Sequence, residues 1–204
     1  MLRPLKLTYG TVLPEAGCDE AGRGCLAGPV TAAAVILPET PGVPLSEGLK
    51  DSKQLSPSER QRLKTLIQSE ALAYGVAHID HHTIDQVNIL QASIMAMHQA
   101  LDKLSLKPAN IVVDGRHFNA YRDIPHVCVV RGDASYLAVA AASILAKATR
   151  DDHMMKLHHE YPEYCWHSNK GYPTPAHREA ILRHGLSSHH RKSFQVNTQQ
   201  RLAL

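Results

Sequence analysis

The sequence is poor in cysteine and has no cysteine framework. Its four cysteines, Cys18, Cys25, Cys128 and Cys165, form no CxxC pair and no regular spacing. This argues against a disulfide-stapled secreted scaffold and fits reduced thiols in a cytosolic protein. No run approaches the roughly 18 apolar residues of a membrane span. The N-terminal MLRPLKLTYG lacks the apolar core of a signal peptide. There is no internal repeat and no low-complexity segment. Charge of one sign is also scarce: the net charge is +3, with 22 Lys and Arg against 19 Asp and Glu. That balance permits a polyanionic partner without demanding one. The 14 histidines would add positive charge at lower pH. Their pairs, His81-His82, His158-His159 and His189-His190, lack the ligand spacing of a zinc site.

What is present is an ordinary globular composition of 204 residues, 44% hydrophobic and 20% charged. This fits one domain with a small appendage. The stretch that organises the chain is AGCDEAGRGCLAGP, residues 16–29. Two adjacent acids, Asp19 and Glu20, lie among four glycines, Gly17, Gly22, Gly24 and Gly28, and an apolar run follows at once. Buried carboxylates need a metal, a partner or a proton. Glycine suits strained turns and close backbone approach to a ligand. The stretch reads as metal ligands plus a loop that touches a phosphodiester.

Around it the pattern alternates between strand and helix. Residues 29–37 read as a buried strand and 38–48 as a surface loop. Ser56 with Glu59 forms a capping box before a helix from about Pro57 to Glu70. A strand returns at 72–79, and Thr83 with Gln86 forms a second capping box. Leu90, Ile94, Met97, Leu101 and Leu104 mark one buried helical face, ended by Pro108. Short strands at Ile111–Val113 and Val127–Val130 lead into Asp114-Gly115 and Arg131-Gly132-Asp133. A long alanine-rich helix follows, from about Ser135 to Lys156. Another is expected near Ala176–His184. Strands interleaved with helices predict an α/β domain.

Three acidic points, Asp19-Glu20, Asp114 and Asp133, share the setting of a strand end, where ligands bind in α/β sheets. A lone Asp after a strand is ordinarily a turn residue or a helix cap. Here the glycine loop feeds a core strand, and Asp133 precedes a helix N-terminus that favours negative charge. Side chains alternate along a strand. Asp19 and Glu20 therefore share one site only if the strand ends or bulges there, or if Glu20 offers its backbone carbonyl. Clustered carboxylates raise one another's pKa unless cations neutralise them. Oxygen ligands suit Mg²⁺ or Mn²⁺, used as a pair of ions about 4 Å apart in phosphoryl chemistry. Asp151 lies eighteen residues beyond Asp133, roughly 27 Å along a continuous helix. It is expected to form an ion pair or face solvent.

The segments CDEAGRGCLAGPV, LKDSKQLS, IVVDG, RGD, AAASILAKATRD and KGYPTPAH, in this order, resemble the motif series of ribonuclease HII, the type 2 ribonuclease H. The resemblance runs from about residue 12 to about residue 196. It implies one domain over 1–204: a ribonuclease H-like mixed sheet flanked by helices over about 12–160, then a helical appendage over about 161–204. It also implies cleavage of the RNA strand of RNA–DNA hybrids and nicking 5′ to single ribonucleotides in duplex DNA. The products would carry 5′-phosphate and 3′-hydroxyl ends. By this similarity Asp19, Glu20, Asp114 and Asp133 are catalytic metal ligands. Gly22, Arg23 and Gly24 read the ribose 2′-hydroxyl through backbone groups, and Tyr172 stacks on the next sugar. Lys53, Ser143 and Lys147 fall in segments that face phosphates. A cytoplasmic monomer is expected, with no membrane partner. Arg131 stands where the family usually has lysine, and Gln195 where proline is common. The end, QQRLAL, lacks the paired aromatics of a sliding-clamp peptide.

Overall fold

The computed structural model describes residues 5–50 and 55–195. Five strands form one mixed sheet in the order β3-β2-β1-β4-β5. They are β1 (Glu15–Ala21), β2 (Val30–Ile36), β3 (Ala73–Ile79), β4 (Asn110–Asp114) and β5 (His126–Val129). β1, β2 and β3 pair antiparallel, while β1–β4 and β4–β5 are parallel. Every residue of β2 is buried, because helices cover both of its faces. This explains its unbroken apolar sequence.

The helices are α1 (Val43–Lys50), α2 (Pro57–Glu70), α3 (His81–Val87), α4 (Ile89–Asp102), α5 (Leu137–Glu160), α6 (Trp166–Asn169) and α7 (Pro175–His184). α4 covers one face of the sheet with Ala92, Ala96, Met97, Ala100 and Leu101. α5 covers the other with Leu137, Ala140, Ala141, Ile144 and Leu145, backed by Leu63 and Ile67 of α2. Small side chains let α5 lie unusually close to β1. A Cβ on Gly17 would stand 2.3 Å from the Ala138 carbonyl carbon. Only glycine allows that approach.

Helix α2 has the predicted bounds and capping box. The expected loop at 38–48 is half right. Pro44 at the second position of α1 starts that helix rather than preventing one. The Thr83–Gln86 capping box is not formed. Asp80 caps α3 by accepting from the Thr83 N–H. Asn88, at φ +70°, then separates α3 from α4 and caps α4 with its own side chain. At the far end of the chain, α6 and α7 pack with Leu26, Ala27, Met154 and Leu157 around Trp166 and Tyr164. Among the described residues, no helix is long and apolar enough to cross a membrane.

Candidate active site

The two central parallel strands separate at their C-terminal ends. The β1–β4 ladder stops at the Cys18–Val113 pair. Asp19 and Asp114 are the next residue on each strand, so they flank the fork. Alternation puts both on the α5 face. Gly17 touches α5 two residues before Asp19, and Val112 packs on Tyr136 and Val139 two residues before Asp114. Glu20 has the opposite parity. β1 continues in register through Glu20 and Ala21 against β2, so the strand neither ends nor bulges between the two acids. The Glu20 carboxylate is held instead by Arg23 at 3.0 Å, and its Oε2 is buried with no hydrogen-bond partner.

Burial is the largest influence on Asp19, and the charges of Glu20 and Asp114 add to it. Together they push its carboxyl well above the ordinary range. Hydrogen bonds from the Ser143 hydroxyl and the Glu20 N–H act in the other direction. Glu20 is also raised by burial, with Arg23 opposing. Asp114 Oδ1 accepts from the Gly132 N–H at 2.7 Å. That bond ties the strand end to the 3₁₀ turn Gly132–Ala134, which carries Asp133. Asp133 therefore precedes α5 by a separate turn rather than sitting in its first turn. Arg131, left-handed at φ +59°, reverses the chain between β5 and that turn.

The glycine loop that leaves β1 is fixed from below by two buried arginines. Gly22 has φ +93°, and a Cβ there would lie 2.0 Å from Arg150 Nε. Arg191 donates from Nη2 to the Gly22 carbonyl, from Nη1 to that of Arg23 and from Nε to that of Gly28, at 2.8, 2.9 and 3.0 Å. Arg150 donates to the carbonyls of Pro29, Lys170 and Ala27. Tyr172, 43% exposed, lies with Arg150 5.9 Å from its ring centroid, and burial, with Cys25 nearby, raises the pKa of its hydroxyl.

A protein-family model described as Ribonuclease HII matches residues 16–197. The chain belongs to the ribonuclease HII family. It is 54% identical over 189 residues to a ribonuclease HII of Christiangramia forsetii, covering 92% of this chain and 93% of that one. The solved ribonuclease H2 of Pyrococcus horikoshii superposes with a TM-score of 0.75 at 29% identity, covering 89% of this chain and 94% of that one. A ribonuclease HII of Archaeoglobus fulgidus, solved in complex with PCNA, gives a TM-score of 0.75 at 27% identity, covering 90% and 96%. The fold is thus the ribonuclease H-like mixed sheet with flanking helices.

Within this ribonuclease HII framework the remaining motif residues are distributed along α5. Ser143 stands beside the Asp19 carboxylate and lowers its pKa. Lys147 is exposed one turn further on. Lys53 and the C-terminal QQRLAL lie outside the described residues. Asp151 pairs with Arg60 at 3.6 Å and Asp152 with Lys64 at 2.7 Å, both on α2. α5 runs on to Glu160, so these are mid-helix pairs. Sequence reading missed Arg150 and Arg191, which are 1% and 2% exposed. Arginine ordinarily signals surface. The available hint was that both sit inside motif segments, ATRD and HHRKSF.

The site's chemistry suits a divalent cation. It gathers carboxylate oxygens, one of them buried without a partner, and like charges that raise one another. Among the described residues, no three His, Cys, Asp or Glu side chains close around one point as a finished cation cage. The Glu20 carboxylate is turned to Arg23, and that of Asp114 to the Gly132 N–H.

Proposed function

We propose that this chain is a divalent-metal-dependent endoribonuclease of the cytoplasm. It would hydrolyse the RNA strand of RNA–DNA hybrids and nick duplex DNA 5′ to a single ribonucleotide, leaving 5′-phosphate and 3′-hydroxyl ends. The supporting observation is the layout along α5. The Asp19–Asp114 fork, the Gly22-Arg23-Gly24 loop and the Tyr172 ring follow one another on one side of that helix. Ser143 at the acids and Arg150 under Tyr172 are seven residues apart, about 10 Å of helix. That is at most about three nucleotide steps along a strand.

Asp19, Asp114 and Asp133, with Glu20 through its carboxylate or its backbone carbonyl, would hold two ions, Mg²⁺ or Mn²⁺. Such ions, when bound, polarise the phosphoryl group and acidify water. The chain's own part is positioning. Ser143 favours the charged form of Asp19, and the Gly132 N–H fixes the orientation of Asp114. Arg23 neutralises Glu20 in the free protein. Lys147, with Lys53 by motif alone, offers cations to phosphates, so binding should weaken with salt. The ribose hydroxyl is the chemical handle that separates RNA from DNA, and the glycine loop brings backbone groups close enough to reach it.

The test is a labelled DNA duplex carrying one ribonucleotide, incubated with Mg²⁺, with Mn²⁺ and with chelator. Metal-dependent cutting on the 5′ side of the ribonucleotide is expected. Binding without cleavage would leave only a nucleic-acid-binding module. Equal cutting of all-DNA junctions would place the chain with resolvase-like nucleases.

A further inference from the structure

Arg191 is a large charged side chain that touches no reacting group, yet it is almost fully buried. Its three nitrogens are used on three backbone carbonyls, two of them successive: Gly22 and Arg23. In a trans peptide the C=O of one residue and the N–H of the next point in opposite directions across one plane. Drawing the Gly22 carbonyl toward Arg191 therefore turns the Arg23 N–H away from it. Drawing in the Arg23 carbonyl does the same for the Gly24 N–H. Arg23 and Gly24 are the exposed residues of the loop, so both N–H groups face outward, beside the acids.

We infer that Arg191 is a positioning residue for ribose recognition: from below, it sets two adjacent peptide planes so that the N–H groups of Arg23 and Gly24 form a fixed donor pair for a ribose 2′-oxygen. The inference rests on the proposed activity and adds how the C-terminal segment takes part in it. That segment is fastened to the same loop at other points. Ala27 and His190 form an antiparallel bridge, the Arg191 N–H donates to Leu26 and the Gly28 N–H donates to His189. Arginine is suited to the task because its planar fork can hold two carbonyls at a set angle, whereas lysine offers one freely rotating point. Burial draws the guanidinium down to about 10, so it stays charged at neutral pH. Charge-assisted bonds of this kind are the stronger ones.

The experiment compares wild type, Arg191→Lys, Arg191→Ala and Ile181→Ala. The last loosens the same C-terminal helices through their apolar packing while keeping every Arg191 hydrogen bond to the loop. Steady-state kcat and KM are measured on a duplex with one ribonucleotide, together with inhibition by the matching all-DNA duplex. For Arg191→Lys, KM on the ribonucleotide duplex should rise about tenfold, the size of one lost charge-assisted hydrogen bond. Inhibition by all-DNA duplex should stay unchanged, because phosphate contacts remain. Arg191→Ala should behave alike, and millimolar guanidinium ion should restore part of the preference. If Arg191→Ala no longer melts cooperatively, Arg191→Lys, which keeps the buried charge, carries the test. An unchanged preference in Arg191→Lys, equal weakening toward both duplexes, or the same split in Ile181→Ala would overturn the positioning role. A wild type with no preference for the ribonucleotide would instead defeat the activity on which it rests.

Discussion

Ser143, two turns into α5, stands by the carboxylate of Asp19 near the end of β1 and favours its charged form. The helix thereby offsets part of the burial of that acid. Asp19 is 6% exposed, and burial together with the Glu20 and Asp114 charges works against its ionisation. Asp19→Asn keeps the shape and removes the charge. We expect kcat to fall roughly a hundredfold or more, the scale of losing one preorganised electrostatic group, with hybrid binding retained or improved. The metal-free protein should melt at a higher temperature, since a disfavoured charge is gone. Near-normal turnover at saturating Mg²⁺ would remove Asp19 from the catalytic set.

Asp133, on the turn before α5, and Asp151, in the middle of that helix, should behave oppositely. Asp133 sits on the turn tied to Asp114, while Asp151 is engaged by Arg60. Asp133→Ala should abolish cleavage. Asp151→Ala should leave kcat within about a factor of five, consistent with the ~1 kcal/mol ceiling of a partly exposed ion pair. The measurement is single-turnover cleavage alongside circular dichroism. A folded Asp151→Ala protein without activity would show that α5 brings Asp151 to the reacting phosphate.

The part of this architecture that was legible in the sequence is the part fixed by local rules. The Ser56–Glu59 box gave α2 its bounds, and the apolar run gave β2. The acids at strand ends were visible because each follows a short branched strand. Tertiary geometry decided the rest. Thr83 resembles a cap, but Asp80 takes that role and Asn88 breaks the helix a turn later. Alternation left open whether Asp19 and Glu20 share one site through a bulge or a backbone carbonyl, and the regular β1–β2 register through Glu20 removes the bulge. That Asp114 shares the Asp19 face depends on the parallel register, which no local pattern encodes. The burial of Arg150 and Arg191 was invisible because their partners are backbone carbonyls 20 to 169 residues away.

Two buried histidines of the C-terminal segment, His177 and His190, form a neutral hydrogen-bond chain. The Trp166 Nε1–H donates to His177 Nε2 at 3.0 Å, and the Ser187 N–H donates to His190 Nδ1 at 2.9 Å. With both acceptor positions set, His190 carries its proton on Nε2, which faces His177 Nε2 at 3.2 Å and shares that nitrogen's one lone pair with Trp166. His177 Nδ1–H then donates to the Tyr172 carbonyl at 2.9 Å. A further proton on either ring breaks a link. Burial, reinforced by the neighbouring imidazole, draws His190 down to about 4, and burial lowers His177 as well. The unfolded chain therefore binds more protons than the folded one between about pH 6.5 and 4. This contribution to stability is complete above pH 6.5 and is lost as pH falls toward 4. Thermal melts from pH 7.5 to 4.5 should show that decline, and His190→Phe should make it shallower, leaving the share of His78, which burial also draws down to about 4. A His190→Phe protein with the wild-type slope would place the titration elsewhere.

Tyr172 is the residue through which this chain would distinguish a lone ribonucleotide from a run of them. Its ring is exposed, while its backbone is held by the Asn169 carbonyl and by His177. Arg150 lies 5.9 Å from the ring centroid. A ring presented there would fit flush against a deoxyribose and would crowd a 2′-hydroxyl. Gly22-Arg23-Gly24 would test the ribose, and Tyr172 would test whether the next sugar is DNA. Tyr172→Ala should then reduce cleavage at a single embedded ribonucleotide more than cleavage within a long RNA–DNA hybrid, where the next sugar carries a hydroxyl and the ring contributes little. Tyr172→Phe keeps the flat face and loses only the hydroxyl, so its preference should stay near wild type. Both variants are assayed on both substrates at equal enzyme concentration. If Tyr172→Ala lowers the two activities by the same factor, the ring serves catalysis or packing in general, and the sugar-to-sugar check must lie in other residues.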